Sequence, residues 1–200
     1  MARTIGSHGP KTMEAIRKAG LKLIYEHGFE AMSLRQLASE VGIQVGSLYN
    51  HITTKEDLLY DLIRVHMDDL FRQFDEVRAA WTELGPVERM RGFVAFHVTY
   101  HILRKREVFI GYSELRSLEP NHYEEIVALR RQYERHLIDI LRLGEEQGLF
   151  KCGDVSVAAY GILTMLTGVC TWFRPHGRLS KEQVITTYSN LVLGGLMHQG

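Results

Sequence analysis

The stretch Ser33-Leu-Arg-Gln-Leu-Ala-Ser-Glu-Val-Gly-Ile-Gln-Val-Gly-Ser-Leu-Tyr-Asn-His-Ile-Thr-Thr-Lys55 decides the fold. Ser33 with Gln36 three residues on is the pattern of a capping box. Leu34, Leu37, Ala38 and Val41 then form one apolar stripe, and Gly42 ends it. A very short segment over 45–51 follows. Thr54, with Asp57 at its N3 position, opens the next helix. Helix, tight turn and short helix read as helix-turn-helix. Ala38 is small enough for two helices to cross closely, and Gly42 can take a positive φ. Ile43 and Leu48 fill the space beneath the turn. That leaves Gln44, Val45, Ser47, Tyr49, Asn50 and His51 facing outward, with no carboxylate among them. Such a face suits a helix lying among phosphates in a major groove. Gly46 lets the backbone approach DNA, and Lys55, in the first turn of the next helix, suits a phosphate contact. An ordinary helical hairpin would show the same spacing, so the pattern alone leaves both readings open.

Outward from this segment, the chain reads as helices only. Residues 11–27 place Ile16, Ala19, Gly20, Leu23 and Ile24 on one face, closed by Gly28. After Thr54 a long helix buries Leu59, Leu62, Ile63, His66, Leu70, Phe74 and Val77. Gly85-Pro86 breaks the chain, and a fifth helix runs to about Leu103. A sixth piece is predicted over 105–117, a long helix from Pro120 to about Gly148, and an apolar helix from Asp154 through Phe173. Ser180 and Gln183 form a second capping box, opening a last helix to about His198. About nine helices without a convincing strand predict an all-α fold, with a three-helix head over 1–55 and a larger helical body over 56–200.

Composition sets limits. The 200 residues are 45% hydrophobic, with 24 basic and 24 acidic residues. A chain of this length buries roughly 70% of its unfolded surface, and the balanced charge excludes a disordered polyelectrolyte or a uniformly basic coat protein. Residues 1–55 nevertheless carry seven basic and four acidic residues (Arg3 among the former), so a basic head sits on a slightly acidic remainder. Cys152 and Cys170 are too few for a disulfide framework or a four-cysteine zinc site. No apolar run of 18 residues and no leader in Met1–Pro10 are found, which predicts a cytoplasmic protein with no membrane partner.

The segment 33–59 closely resembles the DNA-binding domain of TetR/AcrR-type transcriptional repressors. Tyr25-Glu-His-Gly-Phe-Glu-Ala31 fits the same pattern, and Gly46-Ser47-Leu48-Tyr49-x-His51-x-x-x-Lys55 matches the family's recognition segment position by position. Ile52 stands where the family often has Phe. The resemblance implies a homodimer whose two heads bind half-sites of a palindromic operator, and whose bodies hold a ligand that releases double-stranded DNA. It implies that Tyr49, His51 and Lys55 meet phosphates and that Gln44, Val45, Ser47 and Asn50 lie near base edges. Ser33 and Arg35 would touch the backbone.

In the body, Phe93, Phe96, His97, Tyr100, Phe109, Tyr112, Met165 and Trp172 are candidates to line an apolar effector pocket, although aromatic stripes also build ordinary cores. Tyr160, Leu163 and Thr167, with Val184, Tyr188, Leu191 and Gly195, recur at helical spacing and predict a four-helix dimer interface. Thr171-Trp-Phe-Arg-Pro-His-Gly-Arg-Leu-Ser-Lys-Glu-Gln-Val184 resembles a subset of the family that controls fatty-acid or steroid degradation and senses acyl-coenzyme A thioesters. This implies a phosphate role for Arg174 and Arg178. The subset can carry a tryptophan and an arginine higher on that helix, whereas Gly161-Ile-Leu-Thr-Met-Leu-Thr-Gly168 here has neither. No cofactor is expected. One alternative remains: His97 and His101, at i and i+4, could hold a metal in an enzyme or sensor, with His66, Glu114 or His122 as third ligand. No HExxH-like carboxylate or activated nucleophile accompanies them.

Overall fold

The computed structural model describes residues 9–197. Residues 1–8 of the Met1–Pro10 stretch, Arg3 among them, and the expected end of the last helix at His198 lie outside those residues. Among the described residues ten α-helices follow one another: α1 Gly9–His27, α2 Leu34–Val41, α3 Val45–Leu48, α4 Lys55–Arg78, α5 Pro86–Leu103, α6 Lys105–Ser113, α7 Pro120–Glu146, α8 Val155–Thr167, α9 Val169–Trp172 and α10 Lys181–Leu196. There is no strand among them, only one isolated antiparallel bridge between Phe150 and Met197. The fold is all-α. The expected single helix from 154 to 173 divides at Gly168 into α8 and α9. The piece expected over 105–117 stops at Ser113, with a 3-10 turn at Leu115–Ser117.

Two compact units emerge. The first joins the described residues up to His66 with Arg106–Ile126; the second joins Met67–Lys105 with the described residues from Val127. Helices α4 and α7 each supply residues to both.

In the first unit, Ile16, Ala19, Gly20, Leu23 and Ile24 of α1 are buried with Leu37, Leu48, Leu58 and Leu59. Gly20 is required for this approach: a Cβ there would lie 2.8 Å from a Leu58 methyl. Arg17 clamps Asp61 through two hydrogen bonds of 2.7 and 2.8 Å. The loop 115–119 and the start of α7 are fastened to α4 by polar contacts. His122 stacks on Tyr60 at 3.9 Å and meets Glu56 at 2.9 Å. Tyr60 donates to Glu125 at 2.7 Å, and Arg64 also pairs with Glu125.

The second unit is built around α5, against which α8, α9 and α10 pack. Phe74 of α4 is fully buried among Trp81, Phe93, Phe96, Tyr133 and His136, with ring centroids 5.0–5.8 Å away. Trp81 lies directly over Gly92, where a Cβ would approach its ring to 2.7 Å. The stretch Val155–Trp172 has a mean hydropathy of 1.5 over 18 residues, long and apolar enough in composition to cross a membrane. This corrects the expectation that no stretch reaches that length. Here it is divided into α8 and α9 and packs on α5.

Candidate functional site

The helix-turn-helix forms as its local chemistry dictates. Ser33 accepts from the Gln36 N–H while Gln36 accepts from the Ser33 N–H, closing the capping box. Gly42 takes φ +77°, and the Ile43 N–H reaches back to the Ala38 carbonyl at 3.0 Å, a left-handed C-terminal cap. Helix α3 is shorter than 45–51: four residues are helical, and single turns carry the chain through His51. Leu48 and Ile52 are buried beneath it, so isoleucine fills the place expected for phenylalanine. Thr54 and Asp57 exchange hydrogen bonds at 2.8 and 3.0 Å at the start of α4.

The candidate DNA face is presented outward. Ser33, Arg35, Gln44, Gly46, Ser47, Tyr49 and Asn50 are exposed, while Val45 and His51 are half-buried. Tyr49 is 55% exposed, a large aromatic group left in water. Glu40, the acid on α2, is turned to Lys22 at 2.7 Å. Lys55 behaves differently. Its ammonium donates to the carbonyls of Phe29 and Glu30 at 3.0 and 3.2 Å and lies over the Phe29 ring. It fastens the α1–α2 turn to the start of α4.

The effector candidates scatter. Phe93, His97 and Tyr100 are buried core residues. Phe96 stacks on Tyr100, whose hydroxyl donates to Asp69. Phe109 and Tyr112 are exposed in the first unit, Phe109 edge-on to Tyr25 at 5.2 Å. Met165 is half-buried, and Trp172 is exposed beside Phe173 and Tyr188. Arg174 turns onto the carbonyls of Thr171 and Phe173, capping the end of α9.

The metal alternative is corrected by the geometry of its two histidines. Both His97 ring nitrogens are taken, Nδ1 by the Tyr133 hydroxyl at 3.2 Å and Nε2 by the Thr167 hydroxyl at 3.0 Å. His101 donates from Nδ1 to the His97 carbonyl at 2.8 Å, and the two rings stack at 3.7 Å, so their lone pairs do not converge on a point. His122 is engaged by Glu56. Among the described residues no group of three His, Cys, Asp or Glu side chains could hold a metal. Burial, then the neighbouring His101, holds His97 well below the ordinary imidazole value, and burial pushes His101 down to about 4. This pair is a neutral polar core joining α5, α7 and α8. Burial also pushes the Cys152 and Cys170 thiols up to about 11, the opposite of a reactive pair.

Of the interface candidates, Tyr160 (52%), Leu191 (58%) and Gly195 are exposed, and Leu163 and Tyr188 are half-buried. Val184 is 2% exposed and belongs to the internal core, and Thr167 is turned inward to His97.

An open cleft of about 550 Å³, which no single stretch of sequence reveals, is lined by Phe74, Trp81, Ile140, Arg78, Arg89 and His136, among others. Its lining comes from the end of α4, the turn before α5, Arg89 of α5 and the middle of α7. Trp81 and Arg89 flanking the Gly85-Pro86 break were its visible signal.

A capped helix-turn-helix with a polar, carboxylate-free outer face defines a DNA-binding transcription regulator. The chain belongs to the TetR family of bacterial regulatory proteins: residues 16–62 match that family's N-terminal domain, and 83–196 match the tetracyclin repressor-like C-terminal domain. Its relatives agree. The HTH-type transcriptional repressor KstR2 of Mycobacterium tuberculosis is 29% identical over the full length of both chains. The TetR-family regulator PfmR of Thermus thermophilus is 33% identical, covering 92% of this chain and 99% of its own, with a TM-score of 0.80. A structure of AibR in complex with isovaleryl coenzyme A and operator DNA is 27% identical, covers 90% of this chain and 97% of its own, and superposes with a TM-score of 0.79.

Proposed function

We propose that this chain is a ligand-responsive repressor that acts in the cytoplasm, binds a palindromic operator as a homodimer and is released by a small apolar acyl effector. The observation carrying the DNA half is the exposed face from Gln44 to Asn50, held by a positive-φ glycine turn and free of carboxylates. Tyr49 and His51 suit phosphates, Gln44, Val45, Ser47 and Asn50 suit base edges, and Ser33 and Arg35 suit the flanking backbone. Lys55 joins the phosphate contacts with its third N–H, two being held by the Phe29 and Glu30 carbonyls, the DNA phosphate competing with the Glu30 carboxylate 3.8 Å away.

The dimer reading is supported by α8 and α10. Helix α8 is apolar on the side that meets α5 and also outward, at Val157, Tyr160 and Gly161. A helix apolar all round belongs between two packing partners. On α10, Leu191, Gly194 and Gly195 are exposed, and nothing lies within 4 Å of a Cβ built on either glycine, which leaves room for close helix approach. The proposed interface is therefore Tyr160, Leu163, Tyr188, Leu191 and Gly195.

The acyl effector is supported by the likeness to AibR, whose structure holds isovaleryl coenzyme A with operator DNA. Fluorescence anisotropy on the upstream DNA of the gene, titrated with acyl-coenzyme A thioesters and the matching free acids, tests the whole reading. Salt-sensitive binding reversed by one of the two is expected. Absence of sequence-selective binding would overturn it.

A further inference from the structure

We infer that the cleft at the end of α4 is a binding site for a compact organic monoanion: a carboxylate bearing a ring or short branched chain. The inference rests on the repressor reading above and names the form of its effector. The cleft volume, about 550 Å³, falls within the roughly 300–1,000 Å³ usual for small-molecule sites. Its apolar floor is Phe74, Trp81 and Ile140. Phe74, itself fully buried, supports Trp81 edge to face at 5.6 Å, so the indole is the ring that meets a flat or branched group.

The charges on the wall are unequal in kind. Arg78 is neutralised by Asp75 at 2.8 Å. Arg89 is not: its Nε donates to the Leu84 carbonyl at 2.8 Å and its Nη2 to the Thr82 carbonyl at 3.0 Å. Among the described residues no carboxylate lies within ion-pair distance of it. Two neutral acceptors thus orient a half-buried guanidinium that still has three N–H donors, the fork that receives a carboxylate. His136 is half-buried; burial, then Arg78, lowers its pKa, so it offers a neutral imidazole to a ligand hydroxyl or carbonyl. Asp139, on the same wall, is exposed. One oriented cation beside acidic rim residues matches a single negative charge and disfavours the polyphosphate of coenzyme A, so the free acid is the form that enters.

The two tryptophans give the test. In the full-length ¹⁵N-labelled protein each contributes one indole N–H signal, assigned by the signal lost in Trp172→Phe. Titration with 3-phenylpropionate is expected to move the Trp81 signal and leave that of Trp172. 3-Phenylpropionamide and 3-phenylpropionyl-coenzyme A are expected to bind on the order of tenfold more weakly at Trp81, and Arg89→Gln to cost the acid a similar factor. Because Arg89 also holds the 82–84 turn, Ala79→Phe, which fills the cleft without touching that arginine, is expected to abolish the shift in a protein that melts as the parent does. An unmoved Trp81 signal, equal binding of the amide, or tighter binding of the thioester would overturn the site. Operator binding measured on the same sample separates this from failure of the repressor reading: a protein that holds DNA but ignores the acid loses only the cleft.

Discussion

The first unit turns its polar chemistry outward, and the second folds it inward. Around the helix-turn-helix, most polar side chains cap helix ends three residues away, as Ser33 with Gln36 and Thr54 with Asp57 show, or face solvent, with Lys55 and the Lys22–Glu40 pair as the longer-range exceptions. In the second unit the polar groups of His97, Tyr133 and Thr167 meet across 36 and 70 residues of sequence, His97 and Tyr133 buried and Thr167 half-buried. The difference teaches where function and stability reside. The first unit keeps side chains available for an anionic partner at little structural cost, whereas the second depends on an aromatic and imidazole core that every neighbouring helix completes.

The sharpest way to break this contrast is to empty the core of the second unit. Phe74→Ala removes a fully buried ring shared by five aromatic neighbours, and urea unfolding is expected to show a loss of about 4 kcal/mol. A loss below about 1 kcal/mol would mean that the core collapses freely and is not the packed body described.

Next in size is acid. His101 has a folded-state value of about 4 against 6.5 for the free side chain, and His97 shifts the same way. Between those values the unfolded chain binds protons that the folded one refuses. Stability is therefore full above about pH 6.5 and falls as pH drops toward 4, by on the order of 3 kcal/mol from His101 alone. Denaturation midpoints measured from pH 7 to 4 check this, and a shallower profile in His101→Gln, with His97 supplying the slope that remains, identifies the source.

Tyr49→Ala sharpens the other side of the comparison. With 55% of its surface in water, the side chain contributes little to folding, so the melting temperature should hold while operator affinity falls roughly tenfold, about 1.4 kcal/mol. A drop in both would place Tyr49 in the core of its unit. The smallest effect belongs to Ser33→Ala, which removes one half of a capping box and is expected to cost about 1 kcal/mol by chemical denaturation.

The same contrast explains what could be read in advance. Helix caps at Ser33, Thr54, Asp154 and Ser180 were legible because both partners lie within three residues. The apolar stripe of α1 was legible because one helix has one period. The fate of α5 was not: His97 and His101 share a face, but nothing local says that Tyr133 and Thr167 will satisfy them and exclude a metal. Phe109 and Tyr112 read as members of the same aromatic set as Phe93, yet α6 turns Phe109 to Tyr25. Lys55 was visible as a cation at a helix start, while its carbonyl partners, 25 and 26 residues away, were not. The cleft is not legible in the sequence because its walls come from three helices and a turn.

Gly92 does not line that cleft, yet it sets the cleft's depth. The Trp81 indole forms the floor only because position 92 has no side chain, and a methyl there would meet the ring at 2.7 Å. A single codon change to alanine would displace the indole and reshape the space above it. With the effector site proposed above, duplicated copies of such a gene diverge in the molecule they obey through a residue that never touches it.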